Sequence, residues 1–600
     1  MASNPGILTD WPWKRLGSFK YLILTPWVAH STYAFMLKER DPIYYLIFPF
    51  VLARMLHNQI WISLSRYRTA KGNNRIVDKG LEFDQVDRES NWDDQILFTA
   101  LLYYIGYMIF PAAKNLPLWK TDGAVLIALL HAGPVEFLYY WFHRALHHHF
   151  LYSRYHSHHH SSIVTEPITS AVFTRTASVA SLCAYITYID FMNNLGHCNF
   201  EFFPKRLFTI FPFLKYLCYT PSFHSIHHTL FRKNYSLFMP IYDYIYGTVD
   251  ISTDATYETS LKRPEESPNV VHLTHLTTPD SIYHLRLGFA SLASKPQTSN
   301  WYLNLMWPFT FCSMIITTIC GHTFVLERNS FKRLNLQSWV IPRFNIQYLF
   351  KTPSLMLNKI IEEAILEAEL SGVKVLSLGL LNQREELNEY GELYIQRSPK
   401  LRIKVVDGSS LAAAIVLNSI PNGTIQVLMR GKFTKISLAI ANALCKRNIQ
   451  IAVLYKHEHE KLQQGLTTMC KGSLALSTTH NTKIWLVGEE WDEVEQMKAP
   501  KGSLFIPISH FPPKKMREDC FFHCTPAMLV PSSFMNVHSC ENWLPRRVMS
   551  AWRIAGVLHA LEGWNVHECG YTMFSLKKIW QASIRHGFQP LKTPLDQAPK

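Results

Sequence analysis

The fold prediction depends on three stretches of sequence: HRALHHH at 143–149, HSHHH at 156–160 and HSIHH at 224–228. The first has the spacing HxxxH and the other two have the spacing HxxHH, which places imidazoles one helical turn apart on a shared helix face. Such imidazoles can converge on a metal ion, and eight of them exceed the needs of one four-coordinate site. The spacing therefore predicts two metal ions. The eight candidate ligands are His143, His147, His156, His159, His160, His224, His227 and His228.

Other histidines nearby do not share this spacing. We predict that His131, His149 and His158 lie beside the site or are exposed, because they fall outside the repeated pattern. His197 stands alone in NNLGHCNFE, yet it is close enough to the third stretch to be a ninth candidate ligand. A packed or hydrogen-bonded ring is the alternative for His197.

Long apolar stretches precede and include the first histidine stretch. A helix of 19 residues is about 28 Å long, which is near the thickness of the hydrocarbon core of a bilayer. Arg54 and Glu136 interrupt two of these stretches and would face the protein interior. Buried core helices of a soluble protein are the alternative to membrane spans. The four stretches are 19–37, 43–62, 95–112 and 123–142.

Positive charge gives an expected orientation. The loop at 66–79 contains five basic residues, whereas 38–42 and 113–122 are short and weakly charged. We therefore expect a multi-pass protein of the endoplasmic reticulum membrane, with the histidine stretches and the C-terminal domain in the cytosol. The net charge of +15 suits a membrane surface, nucleic acid or an acidic cofactor about equally. With several membrane spans, we expect membrane lipid and not nucleic acid as the partner.

The C-terminal half has a different pattern of apolar and polar residues. Short apolar runs such as TIQVLMRG at 424–431 and IQIAVLY at 449–455 alternate with helical intervals, as in a doubly wound parallel sheet. Gly431 lies where a strand meets a helix N-terminus, and Lys432 and Lys435 are candidate partners of a phosphate. NADPH is a possible cofactor here. Because GxGxxG is absent, a Rossmann-like lobe without a cofactor is the alternative.

These observations predict an α-helical integral membrane domain with a histidine-box di-metal site, followed by a soluble α/β Rossmann-like domain. We assign residues 1–255 to the first domain and residues 356–600 to the second. Residues 256–355 form a connecting region, in which the apolar segment 301–325 is expected to lie at an interface or to pack against a domain, with a membrane span as the alternative.

The sequence around the histidines resembles a known family. GPVEFLYYWFHRALHHH, SRYHSHHHSSIVTEPITS and YTPSFHSIHHT are similar to the fatty acid hydroxylase and sterol desaturase superfamily. More narrowly, they resemble the plant eceriferum/glossy wax-biosynthesis family of very-long-chain aldehyde decarbonylases. The resemblance extends over nearly the whole chain. It implies that the eight histidines, with His197 as a further member, bind two iron ions.

The same resemblance implies a reaction and its partners. A very-long-chain aldehyde would lose its carbonyl carbon to give an alkane, with O2 as oxidant and electrons supplied through cytochrome b5. An aldehyde-producing reductase of the wax family is an expected partner, in a homo- or hetero-oligomer. Two alternatives remain open: a sterol or fatty-acyl hydroxylase or desaturase, and a noncatalytic partner subunit of a wax-forming reductase complex.

One departure from the family pattern follows Val172. After TEPITSAV at 165–172 the family continues with a further HPFAEH-like box, but this chain continues with FTRTASVASLC. The chain therefore lacks a segment of about two dozen residues. We expect this gap to leave the metal site incomplete, unless His197 fills the missing position.

Overall fold

The chain divides into two compact units: the first comprises Met1–Glu266 and Ile282–Ser294, and the second comprises Ser267–Ser281 and Lys295–Lys600. The division predicted at residues 255 and 355 stays a prediction. This computed structural model describes residues 19–37, 42–80, 96–97, 100–101, 104–105, 108–109, 117–119, 121–156, 179–276, 307–349, 354–513, 516–537, 541 and 543–592.

The first unit is helical where it is described. Two π-helical turns, His131–Val135 and Tyr152–His156, adjoin the α-helices that carry histidines. The α-helices are Phe19–Met36, Pro42–Lys71, Thr121–Leu130, Glu136–Leu146, His149–Leu151, Val179–Gly196, Lys205–Ile210, Leu214–Leu217, Pro221–Leu230, Ile241–Ile245 and Thr253–Lys262.

The apolar stretches do not form regular spanning helices. Among the described residues, no helix combines the length and the apolar character needed to cross a membrane. The stretch 123–142 is divided by the π-helical turn His131–Val135, which contains Pro134. Helix Phe19–Met36 contains Pro26 and several polar residues. The stretch 95–112 lies largely outside the described residues.

This finding contradicts two predictions. The predicted α-helical integral membrane domain is wrong, and so is the multi-pass endoplasmic reticulum location inferred from it. The physical reason is that apolar composition alone does not fix helix length. The stretch 43–62 lies within the continuous helix Pro42–Lys71, in which polar residues such as Arg54 and His57 reduce the apolar character, and a π-helical turn divides the stretch 123–142.

A buried ion pair joins two long helices of the first unit. Arg54, in helix Pro42–Lys71, donates hydrogen bonds of 2.7 and 3.0 Å to Asp190 in helix Val179–Gly196. Side chains including Trp61, Leu195 and Phe223 form the hydrophobic core beside this pair. Phe223 directly precedes the third histidine stretch in helix Pro221–Leu230, so this core holds that helix against the long helices.

The second unit contains a five-stranded sheet of order β2-β3-β1-β4-β5. The strand β1 is buried in its centre and runs parallel to β3 and β4, although the sequence predicted only connecting chain at these residues. The strand β2 runs antiparallel to β3 at one edge. The bounds are β1 Val270–Leu276, β2 Phe324–Phe331, β3 Leu334–Phe344, β4 Val375–Leu378 and β5 Lys404–Val406.

A six-stranded parallel sheet follows, of order β11-β10-β9-β6-β7-β8. Counted along the chain this is 6-5-4-1-2-3, the order of a doubly wound sheet. Val427, Leu428 and Met429 of β6 are fully buried, because both faces of the sheet are covered. The bounds are β6 Gln426–Arg430, β7 Gln450–Val453, β8 Leu474–Leu476, β9 Ile484–Val487, β10 Leu504–Pro507 and β11 Phe521–Phe522.

Three short strands, ten α-helices and four 3₁₀-helices complete the described part of the second unit. The segment predicted at 301–325 contains the helix Trp307–Cys320, and Arg343 of β3 donates a 2.6 Å hydrogen bond to the carbonyl of Thr317 there. The strands are β12 Ala527–Leu529, β13 Val548–Ser550 and β14 Gln589–Pro590. The α-helices are Trp307–Cys320, Ser354–Leu370, Glu385–Asn388, Glu392–Arg397, Ser409–Ser419, Lys435–Lys446, Lys456–Gly465, Glu493–Met497, Ala551–Glu562 and Leu576–Arg585.

Candidate metal centre

One helix supplies three histidines to the site. Helix Pro221–Leu230 begins after Thr220, whose hydroxyl accepts a 3.1 Å hydrogen bond from the amide of Phe223. This N-cap and a proline in the first position favour helix formation at this point. The three histidines are His224, His227 and His228, and all of them are fully buried.

A second helix supplies the HxxxH pair. His143 lies in the last turn of helix Glu136–Leu146, and His147 is its C-terminal cap. Glu136 anchors the start of the helix, since its carboxylate accepts hydrogen bonds from the amides of Phe238 (3.3 Å) and Met239 (2.9 Å). These contacts fix the helix against the loop that follows the third histidine stretch.

Four imidazoles form a first cluster. His143, His147, His156 and His227 each offer one ligand atom, and these atoms lie within 4.8 Å of one another. The Nε2 atom of His143 lies 3.0 Å from that of His156 and 3.1 Å from that of His227. Two imidazole nitrogens bound at about 2.1 Å to one tetrahedral ion would lie about 3.4 Å apart, so the spacing fits a shared metal.

Backbone carbonyls set the orientation of the rings. His143 Nδ1 donates to the carbonyl of Tyr235 at 2.5 Å, and His227 Nδ1 donates to the carbonyl of Lys233 at 2.7 Å. Since a neutral imidazole carries one proton, both Nε2 atoms then present lone pairs. Two lone pairs 3.1 Å apart repel unless a cation or proton lies between them, so the first cluster has the chemistry of a metal site.

Three imidazoles form a second cluster. His197, His224 and His228 are fully buried, and their ligand atoms also lie within 4.8 Å of one another. His224 Nε2 lies 3.2 Å from His197 Nε2 and 3.1 Å from His228 Nε2. His197 Nδ1 donates to the carbonyl of Asn193 at 2.7 Å. The isolated histidine of NNLGHCNFE thus belongs to a cluster that could hold a metal ion.

The two clusters are adjacent. The rings of His224 and His227, which belong to different clusters, have centroids 5.6 Å apart. Together the clusters bring seven of the nine predicted ligands into one buried region. His159 and His160 lie outside the described residues, so their role as ligands stays a prediction.

The histidines that lack the repeated spacing lie elsewhere. His131 is buried, and one of its ring nitrogens is 2.9 Å from the hydroxyl of Tyr185. His149 is exposed, and its ring packs against that of His148. Neither belongs to a cluster, and His158 lies outside the described residues.

Buried carboxylates support the site, and the histidine spacing gave no sign of them. Asp243 is fully buried and accepts hydrogen bonds from the amides of Tyr235 and Ser236 at 2.8 and 2.7 Å. It therefore positions the backbone whose carbonyl orients His143. Glu201 accepts hydrogen bonds from the amide and the hydroxyl of Ser222, at the start of the helix that carries three ligands.

Burial changes the acidity of two of these carboxyl groups. It raises the pKa of Glu136 to about 7 and that of Glu201 to about 7, although each group accepts hydrogen bonds from backbone amides. An acidic residue inside an apolar run was a visible signal for Glu136. The partners of both groups become apparent only in the folded chain.

The residues predicted to bind a nucleotide lie in the second unit. Gly431 follows β6, and Lys432 is part of the same turn. The ammonium group of Lys432 pairs with Glu386, and that of the buried Lys435 pairs with Asp407. Both ammonium groups are therefore already neutralised within the protein.

Comparison with known families agrees with the site. The family described as fatty acid hydroxylase matches residues 125–248, a range that includes both histidine clusters. The family described as CER1-like, C-terminal domain matches residues 427–590. The site and these matches define a protein of the fatty acid hydroxylase class with two buried histidine clusters that could hold metal ions.

Relatives identify the family more narrowly. The chain is 58% identical to the very-long-chain aldehyde decarbonylase CER1 of Arabidopsis thaliana, over 99% of this chain and 100% of the relative. It is 56% identical to the very-long-chain aldehyde decarbonylase GL1-5 of Oryza sativa subsp. indica, over 98% and 100%. The chain belongs to this CER1/GL1 family of very-long-chain aldehyde decarbonylases, and the resemblance inferred from the sequence around the histidines is confirmed.

The alignments also show a difference in length. The alignment with the Arabidopsis relative CER1 has 623 positions and this chain has 600 residues, so at least 23 positions are gaps in this chain. Among solved structures, L-tryptophan dehydrogenase from Nostoc punctiforme superposes with a TM-score of 0.18 at 8% identity, over 43% of this chain and 68% of that chain. A structural similarity with so low a TM-score supports no conclusion about the fold.

Proposed function

We propose that this chain converts a very-long-chain aldehyde into an alkane one carbon shorter, as a step in forming plant cuticular wax. The observation that carries the proposal is the pair of adjacent imidazole clusters in a member of the aldehyde decarbonylase family. Neutral imidazoles hold Fe(II) well and leave coordination positions open. Two iron ions, one for each cluster, would supply the activation of O2.

The protein's own groups hold and orient the site. The carbonyls of Tyr235 and Lys233 keep His143 and His227 in the tautomer that presents Nε2 to a metal. Asp243 fixes the first of these carbonyls through the amide of Tyr235. Full burial of the second cluster keeps bulk water away from the reacting carbon.

Electrons must come from outside the described site, because imidazole ligands do not change oxidation state. We propose that they originate from NADPH and reach the irons through cytochrome b5. A direct protein donor would deliver single electrons to the iron, which suits a metal that changes charge by one unit at a time.

The aldehyde substrate requires a supplier. A very-long-chain aldehyde is reactive and almost insoluble, so we propose transfer from an aldehyde-producing reductase of the wax family in a hetero-oligomer. Direct transfer would keep the apolar chain out of water, where its exposure costs about 0.8 kcal/mol per CH₂.

A noncatalytic partner subunit is the second candidate function. At least 23 positions of the Arabidopsis relative have no counterpart in this chain. The second cluster has three described imidazoles whereas the first has four. We propose that the gap follows Val172, where the sequence departs from the family pattern. A chain that lacks one ligand would bind its partners and yet turn over slowly.

Reconstitution in yeast separates the two candidates. The chain would be expressed with cytochrome b5 and an aldehyde-producing reductase, and alkanes would be measured by gas chromatography with mass spectrometry. An active decarbonylase should form alkanes one carbon shorter than the aldehydes supplied by the reductase, and His143→Ala should abolish them.

Other products would contradict the proposal. Accumulated aldehyde without alkane, with a stable complex between chain and reductase, supports the noncatalytic subunit. Hydroxylated or desaturated lipid would instead identify a different reaction at the same clusters. The iron content of the purified chain, measured in parallel, shows whether a loss of alkane reflects a loss of metal.

A further inference from the structure

The strand order of the six-stranded sheet defines where a dinucleotide would bind. In doubly wound sheets the ligand lies beyond the carboxyl ends of the strands, at the point where the strand order reverses. Here that point lies between β6 and β9, which are hydrogen-bonded neighbours. The turn Gly431 to Lys435 would then be the phosphate-binding turn, since it joins β6 to helix Lys435–Lys446.

Four of the five amides in the turn Gly431 to Lys435 already have acceptors within the protein. A phosphate at a helix N-terminus is held by backbone N–H groups that lack an internal partner. Four such groups already donate to acceptors within the protein here, so the turn has lost most of its means of binding phosphate. The backbone N–H of Gly431 donates to Glu458 Oε1 at 3.2 Å, and that of Lys432 donates to the Glu489 carbonyl at 2.8 Å. The N–H of Thr434 donates to Ser437 Oγ at 3.1 Å, and that of Lys435 donates to Tyr390 Oη at 3.5 Å.

Glu458 occupies the position of an anionic ligand. Its side chain is 2% exposed and lies against both the Gly431 amide and the guanidinium of Arg430, with 2.5 Å between Arg430 Nη1 and Glu458 Oε1. A carboxylate that receives a glycine N–H and an arginine has the partners that a phosphate oxygen would have. The protein thus supplies its own anion at this point.

Gly431 allows the chain itself to approach closely. Its φ is +98°, and a Cβ atom on this residue would lie 2.5 Å from the carbonyl oxygen of Glu489. In a dinucleotide-binding turn, a glycine makes room for the pyrophosphate. Here the space beside the glycine is filled by the turn that follows β9.

The small volume of the cavity beside this turn and the negative charge of a neighbouring cleft also disfavour nucleotide binding. The cavity lined by Lys432 and Glu489 has a volume of about 60 Å³, whereas ligand pockets commonly have about 300–1,000 Å³. A wider neighbouring cleft has a volume of about 720 Å³, and among the residues that the structure describes its lining contains four acidic side chains and no lysine or arginine. Phosphates placed there would meet like charge. The four acidic residues are Glu489, Glu490, Asp492 and Glu493.

We infer that this doubly wound sheet is closed to NADPH, with Glu458 acting as a built-in substitute for a nucleotide phosphate. The closure follows from the contacts of the second unit and does not depend on the proposed reaction. Together with that reaction, it means that reducing equivalents reach the chain through another protein and not by hydride transfer within this lobe.

Binding measurements on the full-length chain test the closure. Isothermal titration calorimetry with NADPH, and separately with inorganic pyrophosphate, should show no saturable binding to the unaltered chain. Glu458→Gln removes the internal anion but keeps its shape, and it should raise pyrophosphate affinity about tenfold or more. Glu460→Gln is the matched control, because it removes the same charge from an exposed position of the same helix.

A second variant tests the same inference if Glu458→Gln does not fold. Glu386→Gln frees the ammonium group of Lys432 at an exposed position beside the same cavity, and it should also increase pyrophosphate affinity. Saturable binding of NADPH to the unaltered chain would overturn the inference. So would folded Glu458→Gln and Glu386→Gln proteins that bind pyrophosphate no better than Glu460→Gln. Neither result depends on alkane formation.

Discussion

Single imidazole rings determine the chemistry of this protein. Each of three rings, those of His143, His197 and His227, donates its Nδ1 proton to a backbone carbonyl. The metal-binding atom Nε2 is thereby selected by the fold of the main chain. Residues that hold these carbonyls in place are consequently as important to the site as the ligands themselves.

Replacing one ring should remove metal. His227→Ala takes away the ligand that lies 3.1 Å from His143 Nε2, so the first cluster loses one of its four described imidazoles. We expect the iron content to fall by about half or more, because a tetrahedral site held by three ligands binds its ion more weakly. Inductively coupled plasma mass spectrometry of the purified protein measures this loss.

The matched control is His149→Ala. His149 is exposed and belongs to neither cluster, so its removal should leave the iron content unchanged. An equal loss of iron from both variants would show that the clusters are not the metal site.

Glu136 should make stability depend on pH. Burial raises its pKa from 4.5 to about 7, so the folded chain keeps a proton that the unfolded chain releases between these values. The free energy of unfolding should therefore fall as the pH rises from 4.5 to 7, by about 3 kcal/mol from this group. Glu136→Gln lacks this contribution, and urea denaturation at pH 5 and pH 8 measures the difference between the two proteins.

The test is the direction in which the stability difference between Glu136→Gln and the unaltered chain changes with pH. Relative to the unaltered chain, Glu136→Gln should gain stability at pH 8 compared with pH 5, because the variant has no buried carboxylate to ionise. The exposed Glu460→Gln should show the same difference from the unaltered chain at both pH values. A Glu136→Gln difference that is independent of pH would contradict the expected burial effect.

At the scale of the element, helix Pro221–Leu230 depends on its first turn. The Thr220 hydroxyl caps the amide of Phe223, and three ligands follow within the next two turns. Thr220→Ala should lower the free energy of unfolding by about 1 kcal/mol, since the N-cap hydrogen bond is lost. Chemical denaturation followed by circular dichroism measures the change.

Thr220→Ser keeps the capping hydroxyl and is the control. It should stay within about 0.5 kcal/mol of the unaltered chain. The alanine variant should also release iron more readily to a chelator, because fraying of the first turn moves His224. Equal stability of the two variants would show that the cap does not hold the helix.

The strands illustrate what a local pattern can and cannot reveal. The apolar runs at 424–431 and 449–455 predicted strands, and β6 and β7 lie there. The strand β1, by contrast, lies in VVHLTHL, where histidine and threonine conceal a strand that is buried on both faces. Polar residues can be buried in such a strand only because neighbouring strands and helices cover them, and this cover is not visible in the local sequence.

At the scale of the whole molecule, the length difference from the family gives the sharpest prediction. At least 23 positions of the Arabidopsis relative have no counterpart here. Inserting that relative's own segment after Val172 should raise the iron content to two ions per chain and increase alkane formation in the yeast reconstitution. The reason is that an added imidazole closes a coordination position otherwise left to water.

A spacer without histidine is the control for this insertion. A Gly/Ser segment of the same length should restore neither iron nor alkane, because it adds chain without adding a ligand. Two iron ions and robust alkane formation in the chain without any insertion would show that the site is already complete.

The sequence by itself determined which residue types carry the chemistry and which family the chain belongs to. It also placed His224 and His228 on one helical face, because residues four apart are nearly in line along a helix. Its membrane prediction was wrong, because the described helices do not combine the length and the apolar character needed to cross a membrane, and a π-helical turn divides one of the apolar stretches.

Only the tertiary structure assigned each ring to a cluster. His227 and His228 are adjacent in sequence, yet His227 joins the first cluster and His228 joins the second. Neighbouring residues of a helix point about 100° apart, so one helix can face two metal positions at once. Which position each ring meets depends on the elements packed on either side, such as helix Glu136–Leu146 and the segment containing His197, and these are brought together by folding and not by local sequence.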